Sequence, residues 1–118
     1  LAFIYLGYTD VAGHDHGWMS APYIAAIENA DRCIGVALEA LPDYAMVITA
    51  DHGGHERAHG TDRDEDMRVP VIIHGHPTLN GGRQLPAPVS ILDIAPTLVD
   101  WHGVPVPEHW MGHPITGG

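Results

Sequence analysis

Residues 45–54 read AMVITADHGG, an apolar run that stops abruptly at Asp51 and His52 and continues into two glycines. A short continuous apolar run is typical of a strand covered on both faces. We therefore predict a strand over residues 44–50 with a carboxylate and an imidazole at its carboxyl end. Adjacent side chains on a regular strand point to opposite faces, but a turn at Gly53 and Gly54 would let both point inward.

Two helices are predicted from caps and periodicity. Ser20 is a suitable N-cap, Pro22 falls in the first turn, and apolar residues then recur at helical spacing for about six turns. A second helix is expected over residues 94–102, with Asp93 as its cap. Cys33, the only cysteine of the chain, lies within the first helix and is predicted to be a small buried side chain.

Two more apolar runs, at residues 1–6 and 69–74, predict further strands. The order is then strand, helix, strand, strand, helix, which is typical of an α/β fold. We expect a mostly parallel sheet with flanking helices. Right-handed crossovers would make the first two strands parallel neighbours.

Composition narrows the classes of function. The 118 residues include fifteen Asp and Glu but only five Lys and Arg, so no face suited to binding nucleic acid is expected. No apolar run approaches the roughly 20 residues that a membrane-spanning helix needs. Ten histidines accompany the acidic residues, and carboxylates with imidazoles are the ligand set of Zn²⁺ and Mn²⁺.

The residues that carry chemistry follow predicted strands. Asp10 and His14 come after the first strand, and they can converge on one ion if the turn between them is helical. Asp51 and His52 come after the next strand. Ligands of open α/β sheets bind beyond the carboxyl ends of strands, so both pairs point to one edge of one sheet. His59, in the following loop, lies within reach of that edge.

Several neighbouring residues allow other assignments. His55 and His113 are alternatives to His59 as the third ligand, and His55 could instead orient a ligand carboxylate. The acidic run at residues 62–66 lacks the glycine and the terminal glutamate of an EF-hand, so we expect it to be a solvated loop.

Four short segments follow one another along the chain: DVAGH at residues 10–14, TADHGG at 49–54, HGT at 59–61 and MRVP at 67–70. In this order they resemble the metal-binding half of the alkaline phosphatase superfamily. The resemblance covers nearly the whole chain. It is closest to the type I phosphodiesterase and nucleotide pyrophosphatase branch, while DIAPT at residues 93–97 also resembles sulfatases. It implies that residues 1–118 are the C-terminal portion of a single alkaline phosphatase-like catalytic domain whose N-terminal part is missing.

The resemblance also implies a ligand set. Asp10, His14 and His59 would bind one divalent ion, and Asp51 and His52 would bind a second. Zinc is the expected metal, and manganese is the alternative, because a phosphoglycerate mutase branch of the superfamily uses it with similar ligands. The family's nucleophile, a Thr or Ser, would lie upstream, so no catalytic nucleophile is expected in this chain and the isolated chain should be inactive.

The function implied is two-metal hydrolysis of a small phosphate ester. Phosphodiester or nucleotide pyrophosphate cleavage would proceed through a covalent intermediate on that Thr or Ser. A sulfatase or phosphomonoesterase of the same fold and a non-catalytic metal-binding module are the alternatives, whereas a mononuclear iron site would leave Asp51 and His52 unused. An open edge of the parallel sheet would favour association with another copy.

Overall fold

The computed structural model describes residues 1–77, 84–85 and 88–115. The chain forms two compact units. The first comprises Leu1–Pro42 and Ala50–Pro70, and the second comprises Asp43–Thr49 and Val71–Gly118. Among the described residues, no helix has both the length and the apolar character that crossing a membrane requires.

The first unit is built from three helices: α1 (Tyr8–His16), α2 (Ala21–Ala40) and the single turn α3 (Asp64–Met67). Helix α2 confirms the predicted start, because the Ser20 side chain accepts a hydrogen bond from the backbone N–H of Tyr23 at 3.4 Å and a proline lies in the first turn. Helices α1 and α2 pack against each other. Helix α1 and the loop that precedes α3 carry the histidines of interest.

Residues 1–6 have no regular secondary structure, so the predicted first strand is wrong. Phe3 is 90% exposed and Tyr5 is 76% exposed. A strand is stabilised by backbone hydrogen bonds to a neighbouring strand, and no described strand pairs with this segment. The apolar run is therefore an irregular segment that leads into α1, and the predicted parallel pairing of the first two strands is not seen among the described residues.

The second unit holds the described strands. Strand β1 (Met46–Thr49) pairs antiparallel with β2 (Val71–His74), with Met46 opposite His74 and Thr49 opposite Val71. Both strands lie within predicted apolar runs. Helices together with strands agree with the α/β class, but one antiparallel pair lends no support to a mostly parallel sheet, which stays a prediction.

A 3-10 turn (Ile91–Asp93) leads into α4 (Ile94–Trp101), close to the predicted helix. The side chain of Asp93 does not cap α4 as predicted. Its two carboxylate oxygens instead accept hydrogen bonds from the backbone N–H groups of Ser90 and His113, both at 2.8 Å. The hydroxyl of Thr97 donates to Asp93 O at 2.6 Å and accepts from Ile115 N at 2.9 Å. These bonds fasten the segment after α4 to the start of that helix.

Few apolar side chains are fully buried among the described residues. Ala12, Ala26 and Ile115 are, whereas Val36 on α2 is 67% exposed. Cys33 is also exposed, so the prediction of a buried cysteine is wrong.

Candidate metal centre

Helix α1 provides the first two polar groups of the centre. Asp10 and His14 lie one helical turn apart, which puts their side chains on the same face. His14 Nε2 lies 3.5 Å from Asp10 Oδ1. That carboxylate oxygen is buried and has no hydrogen-bond partner, so Asp10 directs an unsatisfied acceptor at the imidazole.

The loop after residue 50 brings two more imidazoles to the same oxygen. His52 Nε2 lies 3.7 Å and His59 Nε2 3.6 Å from Asp10 Oδ1. The rings of His52 and His59 stack, with centroids 3.7 Å apart. Three ring nitrogens from separate parts of the chain therefore surround one buried carboxylate oxygen.

Backbone carbonyls fix the tautomers of two of these histidines. His14 Nδ1 lies 2.9 Å from Arg57 O, and His52 Nδ1 lies 2.7 Å from Gly53 O. A carbonyl oxygen only accepts, so each Nδ1 carries the proton and donates. In the neutral imidazole the Nε2 lone pair is then free to face Asp10.

This arrangement is electrostatically incomplete without a cation. Two of the three ring nitrogens around this carboxylate oxygen, those of His14 and His52, present lone pairs and only accept. A buried acceptor left unsatisfied is costly. The ligand atoms of Asp10, His14 and His59 lie within 4.8 Å of one another, which is the spread of donors that could hold one ion. Nitrogen and carboxylate donors without sulfur suit Zn²⁺ or Mn²⁺. The residues present therefore fit a divalent metal.

Asp51 lies on the exposed side of the cluster. Its side chain is 86% exposed, and its Oδ2 lies 3.8 Å from His52 Nε2. The turn at the two glycines thus leaves the Asp51 side chain exposed, with its carboxylate beside the imidazole of His52. The role of Asp51 as a ligand of a second ion stays a prediction.

Two glycines allow the chain to reach this geometry. The N–H of Gly53 donates to Asp66 O at 2.7 Å, and that of Gly54 donates to Glu65 O at 2.8 Å. A Cβ on Gly53 would collide with the Glu65 carbonyl, and a Cβ on Gly54 would collide with the ring of Trp18. Glycine is required here because backbone and an aromatic ring approach the turn closely.

Trp18 packs beside the histidines. Its ring centroid lies 5.2 Å from that of His14 and 5.9 Å from that of His59. The backbone N–H of Trp18 donates to Glu56 O at 2.6 Å. It also contacts Tyr23, whose pKa is raised by burial. The indole forms an apolar wall against which two of the imidazoles are oriented.

Neither His55 nor His113 belongs to the described group of donors that could hold an ion. His55 Nδ1 lies 2.7 Å from Asp66 Oδ1 instead. Asp66 was expected to be solvated and is 3% exposed, so that prediction is wrong for this residue, because α3 turns its side chain towards the loop.

Comparison with known families agrees with this chemistry. The metalloenzyme superfamily model matches residues 1–106. The chain belongs to the metalloenzyme superfamily. This alkaline phosphatase-like superfamily implies divalent metal ions, and its members are α/β proteins, which confirms the resemblance at that level.

Individual relatives are phosphomutases. The chain is 35% identical to 2,3-bisphosphoglycerate-independent phosphoglycerate mutase of Cereibacter sphaeroides over 90% of its own length and 21% of the relative's. It is 31% identical to the same enzyme of Serratia proteamaculans, again over 90% of the chain and 21% of the relative. It is 33% identical to phosphopentomutase of Agathobacter rectalis, over 79% of the chain and 23% of the relative.

The chain thus spans about a fifth of the length of these curated relatives. They support the predicted superfamily but not the predicted nucleotide pyrophosphatase branch, since they are mutases. The similarity to these mutases therefore does not support the predicted hydrolase activity, the phosphodiesterase specificity or the choice of zinc as the metal.

Proposed function

We propose that this chain forms the metal-binding part of an enzyme that transfers the phosphoryl group of a small phosphate ester with the help of two divalent ions. One observation carries the proposal: three imidazole nitrogens surround the buried, partnerless Oδ1 of Asp10 at 3.5–3.7 Å. Membership of the metalloenzyme superfamily and similarity to a phosphoglycerate mutase and a phosphopentomutase support it.

The residues divide into two predicted ligand sets. Asp10, His14 and His59 would hold one ion, while His52 and the exposed Asp51 would contribute to the other. When bound, the ions supply electrophilic stabilisation of the transferring group and of the attacking and leaving oxygens. The protein's share is to orient the imidazoles, through Nδ1 hydrogen bonds to backbone carbonyls, and to shield them on one side with Trp18.

The identity of the group that accepts the phosphoryl group distinguishes two possible reactions, hydrolysis and mutase transfer. The sequence resemblance favours water, which gives a phosphodiesterase or nucleotide pyrophosphatase, with sulfatase and phosphomonoesterase as related hydrolases. The named relatives favour return of the group to the substrate, as in a phosphoglycerate mutase or phosphopentomutase. The nucleophile is expected upstream of this chain in either case.

Activity assays on the protein as the cell makes it distinguish the two reactions. With Zn²⁺ or Mn²⁺ added, we would test p-nitrophenyl phosphate, bis(p-nitrophenyl) phosphate and 3-phosphoglycerate. Release of nitrophenol from the diester indicates a phosphodiesterase, and isomerisation of phosphoglycerate without release of phosphate indicates a mutase. Each activity should be lost on chelation and in His14→Ala.

Asp15→Ala is a matched control, because Asp15 neighbours His14 on α1 but is exposed and lies outside the described donor group. It should keep the activity of the wild type. If a folded, metal-loaded protein turns over none of the esters, the non-catalytic metal-binding module replaces this proposal.

A further inference from the structure

The most completely buried carboxylate described lies outside the candidate metal centre. The side chain of Asp66 is 1% exposed, on the single-turn helix α3. It accepts three hydrogen bonds. Oδ1 accepts from His55 Nδ1 at 2.7 Å, and Oδ2 accepts from Thr61 N at 2.8 Å and from Thr61 Oγ1 at 2.7 Å.

These bonds hold both ends of the loop that carries His59. At one end, His55 and Ala58 exchange backbone hydrogen bonds of 3.0 and 2.9 Å across a tight turn. At the other end, Thr61 is fixed by Asp66. Only His59 and Gly60 lie between Ala58 and Thr61, which these bonds hold in place. The backbone at His59, whose ring faces Asp10, therefore has little conformational freedom.

The bonds can be attributed to an ionised carboxylate. The hydrogen bond from His55, followed by those from Thr61, lowers the pKa of Asp66 well below its ordinary value of 3.8. A carboxylate that accepts from both ends of one loop at once acts as a cross-link, because each bond to a charged acceptor is stronger than a neutral one.

From this geometry we infer that Asp66 is a positioning residue, which clamps the loop of residues 55–61 through His55 and Thr61 so that His59 Nε2 is held in place for a divalent ion. The inference rests on the proposed function, since it assigns a purpose to a clamp beside the proposed metal centre. His55 is accordingly a donor to Asp66 and not a ligand.

Metal affinity tests the clamp without recourse to activity. We would titrate the metal-free protein with Co²⁺, following visible absorption for ligand geometry and calorimetry for Kd. Asp66→Asn replaces an oxygen acceptor by an amide donor that faces Thr61 N–H, and it should weaken binding by about 10- to 100-fold, the usual effect of a partner that orients a ligand. Asp64→Asn is the matched control, because it removes the same charge from the same helix at a side chain that is 78% exposed.

A conservative variant separates positioning from folding. Asn at position 55 can place its amide N–H where His55 Nδ1 lies, so His55→Asn should retain the affinity and the Co²⁺ spectrum of the wild type. His55→Ala should weaken binding as Asp66→Asn does. Thr61→Val, which loses the hydroxyl but keeps the backbone N–H, should have a smaller effect in the same direction.

The outcomes are distinct. In the first outcome, wild type and Asp64→Asn bind Co²⁺, and folded Asp66→Asn binds it equally well although it is less stable. The clamp is then only structural, so the inference is overturned while the proposed function stands. If Asp66→Asn does not fold, the two His55 variants decide the question. Equal loss of affinity and altered spectra in both would identify His55 as a ligand and overturn the inference. Absence of binding in the wild type overturns the proposed function and the inference together.

Discussion

At the scale of single residues, Gly53 is a position where one added methyl group should be damaging. A Cβ there would meet the carbonyl of Glu65, which cannot swing away because Gly54 donates to it. We expect Gly53→Ala to lower the free energy of unfolding by roughly 1–3 kcal/mol, the usual cost of overpacking. Denaturant titration measures this change.

Gly35→Ala is its control. Gly35 lies in α2 and has nothing within 4 Å of an added Cβ. Alanine there should raise the free energy of unfolding by up to about 1 kcal/mol, because glycine has poor helix propensity. Equal effects at the two positions would contradict the packing described around Gly53.

Asp66 should make the free energy of unfolding fall as the solution becomes acidic. Its pKa in the folded protein is lowered by the hydrogen bond from His55 and then by those from Thr61. Its ionised form therefore stabilises the fold fully above the ordinary pKa of 3.8, and this contribution is lost as the pH falls below that value towards the lower folded pKa.

The measurement is the difference in unfolding free energy between wild type and Asp66→Asn across pH. We expect it to be constant above about pH 5 and to shrink in more acidic solution. The exposed Asp64→Asn variant should differ little from wild type throughout. A difference between wild type and Asp66→Asn that grows on acidification would show that the carboxylate is not stabilised as described.

The sequence indicates the predicted metal ligands better than the residues that position them. Asp10 and His14 are four residues apart, so their convergence could be predicted on the condition that the turn between them is helical, as it is in α1. Asp66 could not be identified, because it lies in an acidic run whose composition is typical of solvent. Its burial depends on how α3 docks on Gly53 and Gly54, which is a tertiary contact without a local signature.

At the scale of elements, the start of α2 is fixed by its cap. The hydroxyl of Ser20 accepts from Tyr23 N, one of the first N–H groups that have no partner within the helix. Ser20→Ala should cost about 0.5–2 kcal/mol of unfolding free energy, whereas Ser20→Asp, which keeps an acceptor, should cost less. Thermal unfolding of the two variants checks this, and equal losses would argue against a capping role.

Helices were predicted more accurately than sheet pairing. Caps and 3.6-residue periodicity are local, and they locate α2 and α4 closely. Strand pairing is not local: the run at residues 1–6 has the composition of a buried strand but no described strand beside it, and β1 pairs antiparallel with β2. The same apolar pattern is compatible with any neighbour, so neither outcome could be read from the sequence.

At the scale of the whole molecule, exposed apolar residues favour association. In the segment of residues 1–6, the side chains of Leu1, Phe3 and Tyr5 are 76–90% exposed. Exposed apolar patches promote contacts between molecules. We expect the chain to self-associate with rising concentration, and the double variant Phe3→Ser with Tyr5→Ser to do so less. Sedimentation velocity over a concentration series measures both, and a monomer at every concentration would contradict the expectation.

We expect the cluster around Asp10 to hold divalent metal, and elemental analysis of the dialysed protein measures this. The wild type should retain zinc or manganese, Asp10→Ala should lose most of it because every imidazole of the cluster faces that carboxylate, and Asp51→Ala should lose only the ion of the second set. A folded wild type without bound metal, or an Asp10→Ala variant that retains the full amount, would contradict the account.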